Sequence, residues 1–113
     1  MNYDTAHRLA GEIKESPEYK EYTEALDKIK DDSTTMSLLR DYHKLQIEIQ
    51  SMAYTGKEDN ETVERFRKLS ELLQMNKDVV QFLIAEYKLN TIVGDIYKII
   101  AEAANVDLSA LED

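Results

Sequence analysis

Apolar residues along the 113-residue chain recur three and four positions apart almost from end to end, the spacing of one face of an α-helix. Five such stretches are separated by short polar breaks. In the first, roughly Asn2 to Glu15, Tyr3, Ala6, Leu9, Ala10 and Ile13 form a stripe. It stops at Ser16-Pro17-Glu18, where proline disfavours helix at Ser16 but suits the first position of a new helix. Ser16 is the expected N-cap, and Glu18 places negative charge near the positive helix end. The second stretch runs to about Lys30 with Tyr19, Tyr22, Leu26 and Ile29 facing inward. After the Asp31-Asp32-Ser33 break, with Asp32 or Ser33 as cap, the third covers about Thr34 to Tyr54. Its Leu38, Tyr42, Leu45, Ile49 and Met52 alternate steps of four and three, a short heptad seam suited to packing against a near-antiparallel helix. Gly56 is placed to end that helix in a left-handed turn. A polar loop follows, and Asp59 or Asn60 can cap a fourth helix carrying Val63, Phe66, Leu69, Leu72 and Leu73. So short a connection predicts an αα-hairpin between the third and fourth helices.

The fifth stretch, Lys77 to Ala104, contains no proline and opens with Asn76 as a capping residue. At ~1.5 Å per residue it spans roughly 40 Å, long for so small a chain. Leu89, Ile92, Ile96, Ile99 and Ala103 form one stripe, and Val80, Ile84, Tyr87, Gly94, Tyr97 and Ala101 form a flank beside it. A surface helix needs one apolar stripe, so a wider face implies contacts on two sides. Gly94 lies in mid-helix, where glycine costs about 1 kcal/mol relative to alanine. Close approach of another helix, or a bend, would account for it. Asn90, one turn earlier, either fixes register in a paired helix or faces water.

Composition narrows the function classes. The net charge is −9 and evenly spread, about −4 before Lys57 and −5 from there on. With no basic patch, direct nucleic-acid binding by phosphate neutralisation and attraction to an anionic membrane are both disfavoured. The chain has no cysteine, so disulfides, thiolate metal sites and cysteine nucleophiles are excluded. No apolar run reaches bilayer-spanning length and Met1 to Ala10 lacks a signal-peptide core, so a cytoplasmic location is expected.

Candidate chemistry is sparse. A bundle that holds two metal ions needs paired Glu-x-x-His motifs, and only His7 (with Asp4) and His43 (near Asp41) are present. An acidic metal site or enzyme using carboxylates with His7 or His43 is the alternative to an interaction module. No serine sits in a glycine-flanked elbow, and Gly11, Gly56 and Gly94 are too isolated to build a phosphate loop. No catalytic residue, cofactor or metal ligand is assigned. Of the seven tyrosines, Tyr19, Tyr22, Tyr42, Tyr87 and Tyr97 lie on or beside apolar stripes, where packing with the hydroxyl at a wet rim is expected.

The ordered landmarks resemble the YlbF/YmcA family of small helical proteins from Gram-positive bacteria, including its YheA-like members. The resemblance covers nearly the whole chain. It rests on Ala6, Leu9 and Ile13 before Ser16-Pro17-Glu18-Tyr19, on Tyr22 and Ala25, and on Gln46 with Gln50. It continues through Gly56-Lys57, Leu72-Leu73-Gln74-Met75-Asn76 and Ala85-Glu86-Tyr87-Lys88-Leu89-Asn90. It implies a helical bundle that self-associates through long helices, and a non-enzymatic regulatory role. Some members form a complex that affects competence, sporulation and biofilm formation and acts with ribonuclease Y in messenger RNA processing. That complex carries iron–sulfur clusters on cysteines, so cluster binding does not carry over to this cysteine-free chain.

The expected fold is therefore all-α: an antiparallel bundle of about five helices with a long C-terminal helix, a single helical domain over residues 1–113, associating as a dimer. The expected function is that of a regulator or adaptor whose partners are a second copy, YlbF/YmcA-like relatives or ribonuclease Y. Leu89, Ile92, Gly94, Ile96, Tyr97 and Ile99 are the expected interface residues.

Overall fold

The computed structural model describes residues 1–105; the segment beyond Asn105, expected to fray or form one short turn, lies outside the described residues. Five helices follow in order: α1 (Asp4–Glu15), α2 (Pro17–Ile29), α3 (Ser33–Thr55), α4 (Asn60–Gln74) and α5 (Lys77–Ala104). No strand occurs among the described residues. None of these helices is long and apolar enough to cross a membrane.

The boundaries follow from capping chemistry. Ser16 ends α1 in extended conformation, and its hydroxyl accepts from the Tyr19 N–H at 3.2 Å, so one residue closes one helix and opens the next. At the following break Asp32, rather than Ser33, is the cap: its carboxylate accepts from the Thr35 N–H at 3.1 Å and the Thr35 hydroxyl at 2.8 Å. These hydrogen bonds to the charged form hold the Asp32 carboxyl below its ordinary value. Asp59 repeats the arrangement for α4, accepting from the Glu61 N–H at 3.1 Å and the Thr62 hydroxyl at 2.9 Å. Asn76 opens α5, its Oδ1 accepting from the N–H groups of Asp78 at 3.0 Å and Val79 at 3.3 Å. Gly56 adopts the left-handed conformation at φ 71° and returns its N–H to the Met52 carbonyl at 3.0 Å, which stops α3.

The chain divides into two compact units, one of Thr23–Leu83 and the other of Met1–Tyr22 with the chain from Ile84 onward. The first holds nearly all of the buried side chains. In it α3 packs along α4 as the expected hairpin, with Tyr42 stacked on Phe66 at a centroid distance of 5.0 Å. Its core draws on Ala25 and Ile29 of α2, Leu39 and Leu45 of α3, Leu73 of α4, and Val79 and Phe82 of α5. Burying a leucine or phenylalanine side chain contributes about 1.5–3 kcal/mol, so these residues dominate the unit's stability. Periodicity chose the wrong member of one adjacent pair: Leu38 is only partly buried, while Leu39 beside it is 2% exposed. Both members of Leu72-Leu73 were expected inside, yet Leu73 is buried and Leu72 is exposed. Adjacent helical residues point ~100° apart, so one of two neighbouring leucines must yield the core position to the other.

The second unit is different in kind. Of its described residues only Ala85 is buried. Helix α1 has no buried residue, although it carries the expected stripe of Ala6, Leu9 and Ile13. A 12-residue helix is marginal by itself in water, so its persistence depends on an apolar face finding cover.

Candidate association surface

The apolar surface of this second unit is built on α5 from Ile84 onward and on α1. Helix α5 is unbroken through Gly94, and a Cβ placed there would meet nothing within 4 Å. No neighbouring helix of the described residues accounts for the glycine.

The six expected interface residues do not form one patch. Leu89, Ile92 and Ile96 are partly buried by the chain itself, and Ile99 on the same stripe is exposed. Gly94 and Tyr97 are exposed and lie roughly 150° around the helix from that stripe, at ~100° per residue. They share a second seam with Tyr87, Asn90 and Ala101. Along it Tyr87, Asn90, Gly94, Tyr97, Ala101 and Ala104 succeed each other at alternating steps of three and four. Asn90 is exposed, and only Ala101 of the six is partly covered.

A separate apolar groove of about 810 Å³ runs beside α1, lined by Ala6, Leu9, Ala10 and Ile13 together with Ile100 of α5. Periodicity missed Ile100 because it lies off both seams; the adjacent pair Ile99-Ile100, which widens the apolar arc, was the available signal.

Polar contacts fix α2 to α5 on another side. Lys88 Nζ donates to Glu21 Oε1 at 3.2 Å, a half-exposed pair that adds less than about 1 kcal/mol. Next to it Tyr22 is partly buried, and burial together with the Glu86 carboxylate raises its hydroxyl above the ordinary value. Tyr19 and Tyr22 thus pack with wet rims, whereas Tyr87 and Tyr97 stand largely free of their own chain.

The histidines are placed elsewhere. His7 is exposed on α1, and His43 meets the Tyr42 ring edge-on at 5.9 Å. Among the described residues no three histidine or carboxylate side chains converge where a metal ion could be held.

Five helices, four of them opened by a capping side chain, with an apolar arc exposed on α5, make a small all-α fold. The description "Control of competence regulator ComK, YlbF/YmcA" belongs to the family that matches residues 2–105, and the chain belongs to that family. It is 42% identical over 107 residues to a UPF0342 protein of Symbiobacterium thermophilum, covering 94% of this chain and 96% of the relative. A UPF0342 protein of Halothermothrix orenii is 40% identical over 111 residues, covering 97% and 94%. Among solved structures, a protein of unknown function (DUF964) from Bacillus stearothermophilus superposes with a TM-score of 0.70 at 15% identity, covering 91% of each chain. Bacillus subtilis RicA, solved in complex with RicF, superposes with a TM-score of 0.55 at 22% identity, covering 91% of this chain and 94% of that one. At these identities the two structures establish the shared fold.

Proposed function

We propose that this chain is a non-enzymatic cytoplasmic regulator that works by helix-mediated association, and that it pairs with itself and with relatives of its own family. The observation that carries this reading is how little the second unit buries: among its described residues one buried side chain, Ala85, against exposed Tyr87, Val93, Tyr97, Ile99 and Ile100. Apolar surface on that scale marks an interaction site more often than an idle surface. Family membership supports a regulatory role, and RicA, solved in complex with RicF, is a precedent for partnering by a protein of this fold. Competence, sporulation, biofilm formation and ribonuclease Y-dependent RNA processing are the settings the family resemblance suggests.

The test is co-purification of the natively expressed protein at low salt, with mass read by light scattering. Recovery with a second family member or ribonuclease Y, lost in Ile99→Asp protein that retains its helical circular dichroism, is the expected result, Ile99 being exposed on α5. A chain that stays monomeric and captures neither partner would overturn the reading.

A further inference from the structure

We infer that the outer groove between α3 and α4 receives an amphipathic helix of a partner protein, one that carries carboxylates along its edge toward α4. The groove lies wholly in the Thr23–Leu83 unit, on residues that the association reading above leaves unused.

Three observations support it. The first is a second row on α4. The core face of that helix carries Thr62, Phe66, Leu69 and Leu73. Arg65, Lys68 and Leu72 each precede a member of that face by one position, and so lie ~100° round the helix. Met75 continues their row. Leu72 is 52% and Met75 83% exposed, and burying such side chains is what a partner gains most from. On α3, Leu38, Asp41 and Leu45 succeed each other at steps of three and four and form the facing wall.

The second is shape. Leu45 and Leu69, with Asp41, Arg65 and Lys68, line a hollow of about 310 Å³. Leu38, Met75 and Val79 line another of about 260 Å³. Leu72 lines both, so the two run together into one groove along the hairpin. From Arg65 to Met75 α4 rises ~15 Å, about three helical turns. Within α3 and α4 the mid-helix N–H and C=O groups are already paired, so neither wall can hydrogen-bond an extended strand. A helix brings its own backbone bonds and needs only side-chain contacts, the helix-in-groove mode of recognition.

The third is charge. The chain holds 23 acidic residues against 14 lysines and arginines, so cations left over from ion pairs are scarce. On α4 Arg67 takes both Glu64 and Glu71. Arg65 and Lys68 line the groove and are in no ion pair among the described residues. Asp41 sets the opposite sign on the α3 wall. The occupant is therefore acidic on its α4 edge, neutral or basic on its α3 edge, and apolar where it meets Leu38, Leu72 and Met75. A nucleic-acid strand fits worse. Its phosphates would meet Asp41 and a chain at −9, and no aromatic side chain among the described lining residues offers its bases a stacking surface.

The test uses two synthetic helical peptides with the same leucine row, one bearing glutamates and one bearing lysines on the edge that meets α4. Each is titrated into the isotope-labelled full chain and followed by methyl NMR. The glutamate peptide should shift the Leu38, Leu72 and Met75 methyl signals and bind roughly tenfold more tightly than the lysine peptide. Arg65→Glu combined with Lys68→Glu should reverse that order. Leu72→Asp, at an exposed position, should abolish binding with helical circular dichroism retained, while Ile99→Asp on α5 should leave it unchanged. Equal affinity for the two peptides, shifts confined to α1 and α5, or no shift with either peptide at millimolar concentration would each overturn the assignment. So would a single-stranded oligonucleotide that moves the Arg65 and Lys68 signals when the glutamate peptide does not. Because Leu72→Asp blocks this binding and Ile99→Asp blocks the pairing proposed above, failure of one leaves the other standing.

Discussion

Replacing Gly94 by alanine should change fold stability and self-association in opposite directions. Gly94 lies inside α5 with open space where a Cβ would project, so among the described residues the substitution meets no steric obstacle. Alanine is favoured over glycine in a helix interior by about 0.8–1.0 kcal/mol. For a chain of this size that raises the melting temperature by roughly 3–6 °C. If a second copy packs closely across Gly94, the same substitution forces methyl groups into that contact, and such overpacking costs about 1–3 kcal/mol. Pairing should weaken about tenfold, since each ~1.4 kcal/mol is a factor of ten. The assay is thermal unfolding by circular dichroism at two protein concentrations, one well below and one well above the association midpoint. Dilute Gly94→Ala protein should melt higher than wild type. The wild-type melting point should rise with concentration, as it does for any fold stabilised by association, and the variant's should rise less. A lower melting point for the dilute variant would show that Gly94 is needed within the chain itself, and the reasoning from open space would fail.

Leu39→Ala removes a side chain that is 2% exposed, and a loss of about 2–5 kcal/mol is expected in urea unfolding. A loss below about 1 kcal/mol would contradict its place in the core. Asn76→Ala deletes the acceptor of two N–H groups at the start of α5 and should cost about 1 kcal/mol, with most of it restored by Asn76→Asp. Asp32 titrates below the ordinary carboxylate range because Thr35 donates to its charged form. Its contribution to stability is therefore present above the unfolded-state carboxylate value and is lost as pH falls through the lower folded-state value. Asp32→Asn should flatten the acid limb of the stability profile; an unchanged limb would show that the cap is not coupled to folding.

Local chemistry carried most of the fold. Ser16 with Pro17, the Asp32, Asp59 and Asn76 caps and the left-handed Gly56 are satisfied within three or four residues of their own position, so the chain dictates them without reference to anything distant. The same holds for helical identity and for the presence of two apolar stripes on α5, because a 3.6-residue period is a property of the order of residues. Tertiary structure decided which stripe the chain covers. Leu89, Ile92 and Ile96 are partly buried, while Gly94 and Tyr97 on the other seam are left to solvent. It also overruled the heptad seam at Leu38 and Leu39, where spacing took Leu38 and packing against other helices buries Leu39. Periodicity says that a face must be covered; which neighbour covers it depends on where the other helices lie, and residue spacing along one helix does not contain that.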